Sequence, residues 1–170
     1  MDEERTSRAT TFSCERREPL LACDVRKDHF VACLKHLATN TTAEMHAWVV
    51  MRNHVHLLWT PRREHADAWL ARLKRRFVES LPSAPPPGTG RFWQRGGGYD
   101  RRVWSNEEWL RQLRYIEANP VRARIAASEA DYRWSSSYDW RVAQRAWTPK
   151  LSEAPEGCST SGGTEIVLCS

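Results

Sequence analysis

The stretch Ala47-Trp48-Val49-Val50-Met51-Arg52-Asn53-His54-Val55-His56-Leu57-Leu58-Trp59 is apolar at most positions and interrupted chiefly by Arg52-Asn53. Its β-branched and aromatic content predicts two strands, 44–51 and 54–60, joined by a two-residue break of the kind that makes a hairpin or a bulge. Side chains alternate along a strand, so His54 and His56 point to one face. Two imidazoles side by side suit a metal ion.

The rest of the chain alternates between strand and helix signals. Ala9 to Ser13 reads as a first strand, followed by the charged turn Glu15-Arg16-Arg17-Glu18-Pro19. Phe30, Leu34, Leu37 and Ala38 recur at helical spacing, with Asp24 as the expected N-cap and Thr39-Asn40-Thr41-Thr42 as the stop. From Glu64 to Leu81 the stripe Trp69, Leu70, Leu73, Phe77 and Leu81 predicts a second helix, with Arg72, Arg75, Arg76 and Glu79 on another face. The segment 81–90, rich in proline and glycine, reads as a surface loop. Arg91 to Gln94 is expected to be a short strand, Gly96-Gly97-Gly98 an interruption, and Tyr99 to Trp104 an edge strand. Ser105-Asn106-Glu107-Glu108 has the S-x-x-E capping pattern, which starts a third helix near Asn106. The residue before a proline is biased out of the helix, so the end is expected near Asn119. A short helix running to Arg145 follows an irregular polar and aromatic segment.

A chain of 170 residues with 41% hydrophobic side chains and nine tryptophans can build one core without disulfides or a structural metal. The expected organisation is a single domain over 1–147 and a disordered tail over 148–170, whose Ser, Gly, Pro and Glu content argues against packing. Five cysteines, odd in number and without a C-x-x-C pair, indicate neither a disulfide framework nor a cysteine zinc site. A reducing cytoplasm is the compartment expected from this cysteine usage. The start of the chain has no basic-then-apolar leader, and no apolar run approaches the roughly 20 residues needed to span a membrane.

The net charge is +5, and 22 of the 26 basic residues are arginine. Arginine's planar fork grips phosphate and stacks on bases, which is compatible with a nucleic-acid partner. Most of the excess falls between residues 62 and 145, where the ridge Arg72, Arg75 and Arg76 and the cluster Arg95, Arg101 and Arg102 are the candidate DNA contacts. Trp93 and Tyr99 are candidates for stacking on unpaired bases.

On the third helix Trp109, Leu113 and Ile116 form the apolar seam, while Glu108, Gln112, Tyr115 and Asn119 make a second stripe beside it. Tyr115 is therefore displaced from the seam and available as a nucleophile. Cleaving a phosphodiester with a side-chain hydroxyl needs that nucleophile, a cation to draw charge from the phosphate, and a leaving 3′-oxygen. His54 and His56 supply two nitrogens and Asn119 a carbonyl oxygen. A mixed nitrogen and oxygen set without thiolate favours magnesium or manganese over structural zinc. Each feature alone has a plainer reading: an H-x-H pair is most often structural, a helical tyrosine packs, an Asn before Pro stops a helix, and an arginine ridge is solvated.

The joint pattern says more. Met51-Arg52-Asn53-His54-Val55-His56-Leu57-Leu58, then Phe92-Trp93-Gln94-Arg95, Tyr99-Asp100-Arg101, Tyr115-Ile116-Glu117-Ala118-Asn119-Pro120-Val121-Arg122-Ala123 and Trp134-Ser135-Ser136 occur in order. Together they resemble the REP-associated tyrosine transposases, single-tyrosine members of the HUH endonuclease superfamily, over about residues 9 to 141. The resemblance implies a ferredoxin-like α+β fold, with the histidines on a central strand of an antiparallel sheet. It implies a bacterial enzyme that cuts and rejoins single-stranded DNA at or near palindromic hairpins, with Mg2+ or Mn2+, through a 5′-phosphotyrosine. By motif position His54 and His56 take the metal-ligand roles, Tyr115 the nucleophile role and Asn119 that of third ligand. It further implies a monomer rather than a homodimer, associated with the nucleoid when bound to DNA and with no membrane partner.

Three positions depart from the family pattern. Arg52 stands where proline is usual, Arg124 where a glycine commonly follows the N-P-V-R-A run, and the three glycines at 96–98 alter a turn. If that turn keeps the positive φ that glycine adopts readily, Arg124 carries strain. Two other classes of function compete: a catalytically inactive hairpin-binding protein of the same fold, and a small metal-binding structural protein without DNA.

Overall fold

The computed structural model describes residues 6–41, 43–62, 65–81 and 90–147. Most of the loop expected over 81–90 and all of the tail expected over 148–170 lie outside the described residues.

The elements follow in the order β1 (Arg8–Cys14), α1 (Asp24–Thr41), β2 (Glu44–Val50), β3 (His54–Thr60), α2 (Ala66–Glu79), β4 (Trp93–Arg102), α3 (Asn106–Arg122) and α4 (Ser136–Trp147). The strands form one antiparallel sheet in the order β2-β3-β1-β4. This is the ferredoxin-like βαββαβ arrangement, extended by α3 and α4. The histidine strand β3 is central, as the resemblance implies, and β4 is an edge. Among the described residues no helix is long and apolar enough to cross a membrane.

The two faces of the sheet differ. Phe12, Val55, Leu57 and Trp59 face one side, where Phe12 meets Phe30 of α1 and Trp59 lies 4.5 Å from Trp69 of α2, centroid to centroid. Phe77 of α2 and Trp93 of β4 complete this aromatic core. Each such ring, fully buried, stabilises the fold by roughly 1.5–3 kcal/mol. Trp93 is half-buried against these rings, with its indole N–H donated to the Lys74 carbonyl at 3.2 Å. The other face carries Thr11, His54, His56 and Leu58 and is covered by α3.

β2 is closed on its outer side. Val50 donates to the Trp134 carbonyl, Val49 bridges to Ser135, and the Ser136 hydroxyl bonds the backbone of Trp48. The Trp-Ser-Ser motif thus seals a sheet edge that would otherwise present unpaired backbone groups.

Two expected boundaries move. The segment 93–102 is a single strand rather than two pieces split by glycine, because its register against β1 shifts between Phe12 and Cys14 and absorbs the extra residues as a bulge. Gly98 has to be glycine, since a Cβ there would lie 1.7 Å from the Thr11 carbonyl oxygen. The third helix begins where the capping pattern predicts, with the Ser105 hydroxyl accepting from the Glu108 N–H at 3.1 Å. Its end lies beyond Asn119, at Arg122, with Pro120 inside the last turn. Proline is tolerated because the end is closed by other bonds: Ile125 donates to Pro120 and Arg124 to Val121, a Schellman closure with Arg124 at φ 57°. The left-handed turn expected at the missing glycine is there, and an arginine occupies it.

Candidate active site

The pairing of β1 with β3 sets Thr11 opposite His56 and Ser13 opposite His54 on the face that α3 covers. α3 lays Tyr115 over the pair. The His54 and His56 rings are 4.7 Å apart and the His56 and Tyr115 rings 5.5 Å apart, each nearly perpendicular to the next. Thus two residues of one strand and one residue some sixty positions later converge, as the resemblance implies. They line a cleft of about 430 Å3 together with Ser13, Arg17, Tyr99 and Gln112.

Both imidazoles are held by their Nδ1 atoms. His56 Nδ1 lies 2.7 Å from Thr11 Oγ1, and His54 Nδ1 lies 2.7 Å from Asn53 Oδ1. The Asn53 amide is itself oriented, because its Nδ2 donates to the Arg17 carbonyl at 3.0 Å. An amide oxygen only accepts, so His54 carries its proton on Nδ1 and bares the Nε2 lone pair. Burial, and then the charge of His54, pushes His56 down to about 3, and burial, and then the charge of Arg17, lowers His54. His56 is therefore a neutral imidazole at neutral pH.

Its Nε2 is buried and has no hydrogen-bond partner. The remaining helix and strand histidines contrast with it: His29 is bonded to Ser80, His36 to Asn40 and His46 to Thr60. A buried ring nitrogen without a partner needs an explanation, and a cation is one. Second-sphere bonds to Nδ1 with Nε2 presented are the usual arrangement around a metal-bound histidine. Among the described residues no third His, Cys, Asp or Glu joins the pair. The residues thus fit a divalent ion that takes its remaining ligands as oxygen from an amide, water or phosphate.

Of the expected site residues, His54, His56 and Tyr115 are brought together. Asn119 is on the same helix but its Nδ2 donates to the Tyr115 carbonyl at 2.6 Å, and it does not line the cleft. Gln112, one turn before Tyr115, does. Arg72, Arg75 and Arg76 lie on the opposite side of the sheet, where they border a groove with His36 and Asn40 of α1. Arg101 shares the cleft's face and is ion-paired with Glu108, Arg102 lies against the Trp104 ring, and Arg95 is exposed at the β4 bulge. Tyr99 lines the cleft at 54% exposure, which leaves its ring available to a base.

Gln112 was visible in the sequence as part of the Tyr115 stripe. Arg17 was not singled out, because nothing in a charged turn after β1 says that it folds back beside residue 54.

The arrangement of sheet and helices has a counterpart among solved structures. It is similar, with a TM-score of 0.66, 20% identity and coverage of 96% of this chain and 94% of the other, to a structure described as a REP-associated tyrosine transposase bound to a REP hairpin. A likeness at this identity establishes the fold, and it agrees with the family that the motifs resemble. A Deinococcus radiodurans structure is similar over 66% of this chain, at 21% identity and a TM-score of 0.48. No family model matches the sequence, and no curated protein matches it.

Proposed function

We propose that this chain is a metal-dependent endonuclease and strand transferase for single-stranded DNA, cutting near palindromic hairpins through Tyr115. The observation that carries the reading is the convergence of two imidazoles held by their Nδ1 atoms, one of them with a buried and unpartnered Nε2, on a tyrosine that is 41% exposed. The bound hairpin of the similar structure, the motif resemblance and the arginine excess support DNA as the partner.

His54 and His56, with an amide oxygen from Gln112 or Asn119, would hold Mg2+ or Mn2+, which when bound supplies charge to draw electron density from the phosphate. The Tyr115 phenolic oxygen attacks phosphorus and gives its proton to solvent. The P–O3′ bond breaks, and the 3′-oxygen leaves and takes a proton. The product is a 5′-phosphotyrosine and a free 3′-hydroxyl, and attack by a second 3′-hydroxyl on the same phosphorus runs the exchange backwards. Cutting and joining are thus one reaction in two directions. The motif resemblance favours a monomer as the working unit.

The test is incubation of the protein with labelled hairpin-bearing single-stranded DNA, with and without Mg2+ or Mn2+. A denaturation-resistant adduct that needs the metal and vanishes in Tyr115→Phe is expected. Binding by both proteins with no adduct from either would instead indicate a non-catalytic hairpin-binding protein.

A further inference from the structure

The turn after β1, Glu15–Arg17, is held in an unusual shape. Arg16 and Arg17 both have left-handed backbone, at φ 51° and 57°. Such angles cost a side-chain-bearing residue energy that glycine is spared, and they persist where the surroundings over-determine them. Here they do. The Cys14 N–H bonds the Asn53 carbonyl, the Glu15 N–H the Phe92 carbonyl and the Leu21 N–H the Arg52 carbonyl, so the turn is pinned at both ends. In its middle the Arg17 carbonyl takes the Asn53 amide, the same side chain that orients His54.

The consequence is that Arg17 and His54 are set by one amide, two bonds apart. Arg17 lines the cleft with His54, His56 and Tyr115, and among the described residues lining it Arg17 is the one Lys or Arg. Arg101, on the same face, is committed to Glu108.

We infer that Arg17 is the phosphate-gripping residue of this cleft, donating from its guanidinium to a non-bridging oxygen of the phosphate that Tyr115 attacks. The inference rests on the nicking reading of the cleft. It gives the strained turn a purpose, since the backbone from which the Arg17 side chain springs is fixed by the same Asn53 amide that orients His54.

Arg17→Gly separates this role from a structural one, because glycine relieves the backbone while deleting the charge. The variant is expected to melt at the wild-type temperature or above it, yet to form adduct about 100-fold more slowly, with Arg17→Lys in between. A second readout needs no turnover. In a Tyr115→Phe background, Arg17→Gly is expected to weaken hairpin binding to DNA with a normal phosphate at the mapped cut step. With a neutral methylphosphonate at that one step the two proteins should bind equally. If the wild type forms adduct and Arg17→Gly forms it at the same rate, the assignment of Arg17 falls while the nicking reading stands. Equal weakening with methylphosphonate would also overturn it, by showing that Arg17 acts elsewhere on the DNA. If the wild type forms no adduct on any hairpin tried, the nicking reading fails and takes the assignment with it.

Discussion

One sheet presents two unlike faces. On the first, Phe12, Trp59, Phe30, Trp69 and Phe77 are all nearly or completely buried, and rings meet rings. On the second, the polar side chains Thr11, Ser13, His54 and His56 sit beside Leu58 and Ile116, and a cleft remains over the polar ones. The aromatic face supplies the stability that lets the other carry a buried imidazole with an unpartnered nitrogen and an arginine turn in left-handed backbone. The two faces are linked through alternate residues of the same strands, so the site is built directly on the core.

The largest effect is expected from the aromatic face. Phe77→Ala should lower unfolding free energy by about 3–5 kcal/mol, whereas Tyr115→Phe should change it by less than about 0.5 kcal/mol, both read by chemical denaturation. Similar losses from the two would erase the distinction between the faces. Gly98→Ala attacks the seam between them, because its Cβ overlaps the Thr11 carbonyl. A cost of about 3 kcal/mol is expected, with weakened metal binding as Thr11 is displaced. Thr11→Val removes only the hydroxyl beside His56 Nδ1. Its melting temperature should barely move while Mn2+ affinity falls about 10- to 100-fold, measured by calorimetric titration. Unchanged affinity would mean that the hydroxyl does not orient the ligand. Arg124→Gly, at φ 57° in the α3 closure and away from both faces, should stabilise the protein by about 1 kcal/mol without altering DNA binding.

Local patterns in the sequence carried much of this far. The strand pair and the S-x-x-E start of α3 are set by neighbours a few residues away, and each is where its pattern predicts, whereas the left-handed turn at Arg124 could be expected only from the glycine usual in the family that the motifs resemble. Tyr115 could be separated from the apolar seam by helical spacing alone, but its approach to His56 could be stated only through the family resemblance. What escaped depends on distant chain. The glycines at 96–98 read as a break because the bulge that absorbs them is defined by β1, eighty residues earlier. Pro120 stays helical because residues 121–125 close the turn. The ridge Arg72, Arg75 and Arg76 was legible as a basic helix face, but not its place across the sheet from the cleft, since α2 packs on the aromatic face. Arg17 entered the cleft unannounced, through a side-chain bond from Asn53 that no periodicity encodes.

The central claim is that Tyr115 itself becomes joined to DNA. Trypsin cleaving after Arg114 and Arg122 releases the peptide Tyr115–Arg122, so mass spectrometry of a digested, nuclease-trimmed adduct can locate the link. The account predicts a nucleotide 5′-phosphate on that peptide, fragmenting to Tyr115, and only when Mg2+ or Mn2+ was present during the reaction. A nucleotide mass on any other residue, or one formed equally without metal, would contradict it.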